Sequence, residues 1–103
     1  MQSISESDWK VFRQLREVAL ERLSQRILDE CQDICSDTQT PAHKRYLTLT
    51  RTIDNRRDEV ARAFDDFRRS TAILSLRVIN AMDLLEESEL ALFTQETRRK
   101  IEL

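Results

Sequence analysis

The sequence predicts an all-α protein, on three observations. The 103 residues contain no glycine and a single proline, Pro41, whereas an average chain of this length has about seven glycines. Few residues are therefore suited to tight turns or to backbone with positive φ. No segment alternates apolar and polar residues as a strand does, and apolar residues recur at three- and four-residue steps through most of the chain.

Composition predicts one folded domain spanning residues 1–103, because 40% of the residues are hydrophobic and 35% are charged. The net charge of -2 provides no general attraction to nucleic acid or to an anionic membrane. The first ten residues lack a signal-peptide pattern, and no apolar run reaches the roughly 18 residues that cross a bilayer. We therefore expect a cytoplasmic protein without a membrane segment.

The first helix is predicted over residues 6–35. Ser5 can cap its N-terminus with Asp8 as the reciprocal partner of a capping box, and Ile4 and Trp9 suit a hydrophobic staple. One stripe of the helix then carries the apolar residues Trp9, Phe12, Leu15, Ala19, Leu23, Ile27, Cys31 and Ile34. Arg16 and Glu30 interrupt this stripe and are interpreted as residues of its edge. Glu30 is the best candidate for a raised pKa.

The second helix is predicted over residues 41–83, with Thr40 as its N-cap and Pro41 at its first position. A seven-residue repeat continues without a phase slip from Tyr46 onward, which favours one long helix packed along its length. The two columns of this repeat are Tyr46, Ile53, Val60, Phe67, Leu74 and Ala81, and Thr50, Arg57, Phe64, Thr71, Val78 and Leu85. Asp54 and Asn55 mark the expected place for a kink.

A short C-terminal helix is predicted over residues 87–102 with Thr94 as a second cap, and the basic residues near its end suit the helix dipole. The first two helices would form an antiparallel hairpin in which the numbers of facing residues sum to about 76, so that Trp9 faces Phe67. The first helix would then leave the stretch from Ser70 to Leu85 as an overhang with apolar residues on every side.

We expect the C-terminal helix to fold back over one face of this overhang. The face left uncovered predicts a second chain, and a homodimer is the commonest solution. We expect the partner contact to be made by Ile73, Leu74, Leu76, Val78 and Ile79. The fold class is therefore all-α: an antiparallel helical hairpin with a long second helix and a short C-terminal helix, dimerising into a helical bundle.

The sequence lacks signatures of catalysis or cofactor binding. Phosphate-cradling loops, dinucleotide-binding turns and nucleophile elbows require glycine. His43 is the only histidine, and Cys31 and Cys35 are interpreted as buried free thiols. A zinc site of these three residues with Asp33 or Asp37 matches no standard spacing. We expect no enzyme, cofactor, metal or small-molecule substrate.

The leading functional hypothesis is a structural or adaptor protein that acts through helix–helix contacts, as a homodimer or with another protein. The alternative is a nucleic-acid-associated regulator in which dimerisation aligns arginines into a basic stripe. The candidate stripe consists of Arg56, Arg57, Arg62, Arg68 and Arg69. Acidic residues alternate with these arginines, and this pattern favours a solvated, self-paired surface over nucleic-acid binding.

Overall fold

The computed structural model describes residues 3–103, and every regular element within this range is helical. The elements are α1 (Glu6–Ser36), α2 (Ala42–Phe64), a 3₁₀ turn (Arg69–Thr71), α3 (Ala72–Ala81), α4 (Glu87–Leu90) and α5 (Gln95–Ile101). The helices α1 and α2 pack antiparallel, as predicted, and α3 and α5 pack at the end of this hairpin where α1 begins. We call this packed end the base.

The first helix begins where its local signals place it. The Ser5 hydroxyl accepts a hydrogen bond from the Asp8 amide at 3.2 Å, and α1 ends one residue beyond the predicted boundary. The predicted facing of Trp9 and Phe67 is confirmed, since their ring centroids are 4.9 Å apart. The start of the second helix differs slightly, because Pro41 occupies the N-cap and the Thr40 hydroxyl donates to Asp37 instead.

The prediction of one helix over residues 41–83 is wrong. The helix α2 is continuous through Asp54 and Asn55 and ends at Phe64, and the chain turns back before α3. The Thr71 hydroxyl, 3.2 Å from the carbonyl oxygens of Asp66 and Arg68, stabilises the turn.

The physical reason for the break is the burial of α3. In one continuous helix, Ala72, Leu76 and Ile79 would be exposed to solvent unless another chain covered them. In the folded chain all three are at most 1% exposed. Burying a leucine or isoleucine side chain stabilises the fold by about 1.5–3 kcal/mol. That gain outweighs the few helical hydrogen bonds lost at the turn, each of which contributes about 1 kcal/mol.

The C-terminal segment also contains a break that the single predicted helix over residues 87–102 did not include. The short helix α4 ends at Leu90, and α5 begins after Thr94, whose hydroxyl accepts from the Thr97 amide as the predicted cap. The break directs Leu90, Phe93 and Ile101 into the core of the base, where each is at most 5% exposed.

Arginine side chains reach from neighbouring elements to the carbonyl groups at the C-terminal ends of four helices. Arg45 donates to Cys35 at the end of α1, Arg16 to Phe64 at the end of α2, Arg26 to Met82 after α3, and Arg77 to Lys100 in α5. The last carbonyl groups of a helix have no partner within it and are often satisfied by a glycine-dependent turn. In this glycine-free chain, arginines satisfy many of them.

Asp83 adopts the left-handed backbone conformation that a glycine would normally occupy after a helix. Its φ is 58°. Its amide donates to the carbonyl oxygen of Asn80 at 2.9 Å, while the Leu84 amide donates to Ile79 at 3.3 Å. This arrangement ends α3 and redirects the chain, but a residue with a Cβ is strained there.

We expect Asp83→Gly to raise the free energy of unfolding by about 0.5–1 kcal/mol, because glycine removes the Cβ strain while its greater freedom in the unfolded chain offsets part of the gain. Urea denaturation followed by circular dichroism at 222 nm measures the change. The control Asp83→Ala keeps the Cβ and is expected to give no gain. A loss of stability in the glycine variant would contradict this account of the turn.

Candidate functional site: an exposed helical arm

The five residues predicted to contact a partner lie in α3, and the base covers most of them. Leu76 and Ile79 are 1% exposed, Ile73 and Val78 are half-buried, and only Leu74 is largely exposed at 46%. The expected overhang does not exist, because α3 packs against α1, α2 and α5. The overhang that suggested this partner site is therefore absent, and the partner contact itself stays a prediction, with Leu74 as its most exposed residue.

The uncovered apolar surface lies at the other end of the hairpin. From Ser24 in α1 to Arg62 in α2 no residue is buried, although the segment is folded as two long helices. We call residues 24–62 the arm. The chain measures 52 × 25 × 22 Å, and its radius of gyration of 16.6 Å exceeds the roughly 13 Å expected for a compact chain of this length.

The two helices of the hairpin contact each other in the arm partly through polar groups. The guanidinium group of Arg56 donates to both carboxylate oxygens of Glu30, at 2.9 and 3.3 Å, and to Glu59 at 2.7 Å. The hydrogen bond from Arg56 lowers the pKa of Glu30, so the expectation of a raised pKa is wrong. Glu30 lies on the contact between the helices but remains accessible to water and paired with a cation.

Beside this contact line, α2 presents an apolar column and α1 presents Cys31 on the same side of the hairpin. In α2 the residues Ile53 and Val60 lie about 40–60° around the helix from Arg56, and in α1 the residue Cys31 lies about 100° around from Glu30. These rotations have the same sense. Because the helices are antiparallel, equal senses of rotation bring Cys31 and the α2 column to one side of the hairpin.

We call this surface the apolar flank and define it by Leu20 and Cys31 of α1 and Tyr46, Leu49, Ile53 and Val60 of α2. Tyr46 is 63% exposed and Ile53 is 40% exposed, and the other four are half-buried. A recess of about 240 Å³ lined by Cys35, Tyr46 and Leu49, among others, joins the two helices near the tip of the arm. The flank is thus one surface formed by two helices.

A groove of about 540 Å³, which none of the flank residues lines, lies where the arm meets the base. Its apolar lining consists of Leu23, Ile27, Val78 and Met82, and its charged lining of Arg26, Glu30, Arg56, Glu59 and Arg62. The groove therefore combines an apolar floor from α1 and the end of α3 with a charged rim from α1 and α2.

The residue types considered for metal binding or catalysis are not brought together. Cys35 is exposed and Cys31 is half-buried, so the expectation of two buried thiols holds for neither. His43 is exposed, and its ring stacks on Tyr46 with centroids 6.2 Å apart. Within residues 3–103 no group of three histidine, cysteine or acidic side chains could hold a metal ion. Glu30 lines the groove, whereas Tyr46 lies in the separate recess.

The arginines of the proposed basic stripe are largely neutralised one by one. Arg56 is paired with Glu30 and Glu59, Arg57 with Asp54, Arg68 with Asp66, and Arg69 with Glu6. The alternation of charges also predicts ion pairs four residues apart, Asp58 with Arg62 and Asp65 with Arg69, but neither pair forms. No observation on this surface favours the nucleic-acid alternative over the adaptor hypothesis.

None of the helices within residues 3–103 is long and apolar enough to span a membrane.

One important residue was misinterpreted at the sequence level. The Asp8 carboxylate does not complete a capping box; it is 2% exposed and accepts hydrogen bonds from the N-terminus of α5. The amide of Thr94 donates at 2.9 Å, and the hydroxyl groups of Thr94 and Thr97 donate at 2.7 and 2.6 Å. Asp8 thus joins the first and last helices and holds the base together behind the arm.

Comparison of the chain with protein-family models, with curated proteins and with solved structures gives no match in any of the three.

Proposed function

We propose that this chain is a non-enzymatic structural or adaptor protein that acts through helix–helix contacts, and that its apolar flank mediates homodimerisation. The observation that carries the proposal is the arm itself: two helical segments in which no residue is buried, with an apolar column of Tyr46, Leu49, Ile53 and Val60 on α2 and the half-buried Cys31 beside it on α1. An apolar surface of this extent on a small chain is typical of a protein-binding site.

The side of the hairpin that carries the flank is large enough for a stable dimer interface. The 23 residues of α2 give the arm a length of about 35 Å, and two adjacent helices are roughly 20 Å wide. A face of about 700 Å² results, close to the roughly 800 Å² that each partner buries in a standard interface. The solvent-accessible surface of the chain also favours association. It is 6888 Å², larger than the roughly 6,060 Å² expected for a compact monomer of this mass.

A second copy is the occupant best suited to this surface. Two flanks related by a two-fold axis place two helices on two helices, which is the arrangement of an antiparallel four-helix bundle. The apolar column of each arm then covers that of the other. The base of each chain lies outside the bundle and remains available to further partners, which is the role we assign to an adaptor.

Sedimentation equilibrium of the wild-type chain, Ile53→Glu and Leu47→Glu tests the proposal. Ile53 is 40% exposed on the flank, whereas Leu47 is 46% exposed on the face of α2 that points away from α1. We expect the wild type and Leu47→Glu to have twice the chain mass. We expect Ile53→Glu to be weakened at least roughly a hundredfold and to sediment as a monomer, because each copy would bury an unpaired carboxylate.

Two outcomes would contradict the proposed dimer. One is a wild-type chain that remains monomeric at concentrations of about 100 μM, a range in which interfaces of standard size normally associate. The other is equal weakening by the two substitutions, which would show that the association does not depend on the flank. Circular dichroism of each variant confirms that the monomeric fold is retained.

A further inference from the structure

We propose that the groove between arm and base binds a small amphipathic anion, an alkyl carboxylate with a chain on the order of ten carbon atoms. The groove volume of about 540 Å³ lies within the roughly 300–1,000 Å³ typical of small-molecule sites. None of the six residues of the apolar flank lines the groove, so this inference does not depend on the proposed dimer.

The floor of the groove suits an alkyl chain. Leu23 is buried, and Ile27, Val78 and Met82 are half-buried along a line that crosses from α1 to the end of α3. The Met82 side chain is flexible and polarizable, which allows the floor to adapt to chains of different shape. A bound chain would cover apolar surface that the base leaves accessible to water.

The charges of the rim select the head group. Among residues 3–103, Arg56 is paired with two carboxylates, whereas neither Arg26 nor Arg62 has a carboxylate oxygen within 4.0 Å. Arg26 donates one hydrogen bond each to the carbonyl oxygens of Met82 and Asp83, which leaves three of its five donors free.

The lining therefore has a surplus of one positive charge, from three arginines and two glutamates. A ligand with a single carboxylate complements this surplus, because guanidinium groups bind carboxylates in a planar, two-pronged geometry. A cationic ligand would face Arg26 and Arg62 without compensation. We therefore assign Arg62 the role of binding the head group, with Arg26 at the same rim.

Methionine-methyl NMR provides a direct test, because the chain has only two methionines and one of them is Met82. With sodium decanoate titrated below its micellar concentration, we expect a saturable shift of the Met82 methyl signal. Arg62→Gln is expected to weaken binding about five- to tenfold, the loss of one charge-assisted contact. Decanol, which has the same chain without the charge, is expected to bind at least about fivefold more weakly than decanoate.

The control is Arg57→Gln, an exposed arginine of the same helix that is paired with Asp54 and does not line the groove. It should bind decanoate as the wild type does. The proposal is overturned if decanoate causes no saturable shift of the Met82 signal. It is also overturned if decanol binds as well as decanoate, or if the two arginine variants lose affinity equally, since each result removes the role assigned to the Arg62 charge.

Discussion

Replacing Asp8 with asparagine is expected to lower the free energy of unfolding by about 2–4 kcal/mol, because the buried carboxylate accepts charge-assisted hydrogen bonds of roughly 1.5–3 kcal/mol each that are not additive. Three donors converge on its two oxygens from the start of α5, all within 2.9 Å. Asparagine has the same shape but keeps one acceptor oxygen and turns an NH₂ group toward donors. Urea denaturation followed by circular dichroism measures the loss.

Asp29→Asn is the matched control. Asp29 lies on the same helix, is exposed, and accepts a hydrogen bond only from Gln25 among the described residues, so the same substitution should change stability by less than about 0.5 kcal/mol. Thr97→Val removes one donor and should cost about 1–2 kcal/mol. The double variant of Asp8 and Thr97 should lose less than the two single losses together, since both remove the same bond. Additive losses would contradict a direct contact.

The contribution of Asp8 should also depend on pH. Burial acts to raise its pKa, but the hydrogen bonds from Thr97 and Thr94 outweigh this effect and lower the pKa below its ordinary value of 3.8. A carboxyl group whose pKa is lower in the folded than in the unfolded chain stabilises the native state. This contribution is complete at pH values above the pKa of the unfolded chain, and it is lost as the pH falls through the pKa of the folded chain.

The difference in stability between the wild type and Asp8→Asn should therefore be constant at neutral pH and shrink below about pH 4. The stability of the variant is subtracted from that of the wild type because other carboxylates also titrate in this range. Hydrogen bonds from Arg22 and Arg56 lower the pKa of Glu89 and of Glu30, respectively. Those contributions are common to both proteins and cancel. A difference that stayed unchanged down to pH 2 would contradict the assignment of the stabilisation to the ionised carboxylate.

Features set by neighbouring residues could be predicted from the sequence. The start of α1 at Ser5 depends on a side chain that caps the amide three residues later, and the capping role of Thr94 has the same local origin. The pairing of Trp9 with Phe67 followed from a short hairpin connection and from the rise of the helix. None of these required knowledge of the rest of the fold.

The course of the chain after Phe64 could not be predicted from periodicity. The columns of the repeat continue past the turn, but the α3 residues that the base buries, Ala72, Leu76 and Ile79, lie in neither column. The repeat therefore did not record the contacts that α3 makes in the folded chain. The contact between Asp8 and Thr94 joins residues 86 positions apart and leaves no local pattern either.

The position of the apolar flank could not be predicted from the sequence for a different reason. The column of Tyr46, Ile53 and Val60 was interpreted as the side of the second helix that contacts the first. The actual contact includes Arg56, which is bonded to Glu30 across the hairpin, about 40–60° around the helix from Ile53 and Val60. Because a charged residue occupies the contact line, a hydrophobic pattern assigns that line to the apolar column beside it. Tyr46 and Ile53 are left exposed, whereas Leu20 and Val60 of the flank also pack against the core of the base.

Substitutions of Leu74 and Leu76 in α3 provide the clearest test of whether the chain folds back or continues as one long helix. We expect Leu76→Ala to lower the free energy of unfolding by about 2–5 kcal/mol, and Leu74→Ala by less than about 1 kcal/mol. Leu76 is 1% exposed among the residues of the base, whereas Leu74 is 46% exposed, so truncation leaves a cavity only at the first. The same urea titration applied to both variants gives the comparison, with identical chemistry and helix propensity at the two sites.

The charged versions of these variants separate the base from the arm. Leu76→Glu would place an unpaired carboxylate in the core and is expected to unfold the chain. Leu74→Glu should leave both the fold and the mass in solution unchanged, because the proposed dimer forms through the flank of the arm. If Leu74→Glu instead produced a folded monomer, the interface would lie on α3 as the sequence first indicated. If Leu76→Glu remained folded and only lost its partner, the core described for the base would be wrong.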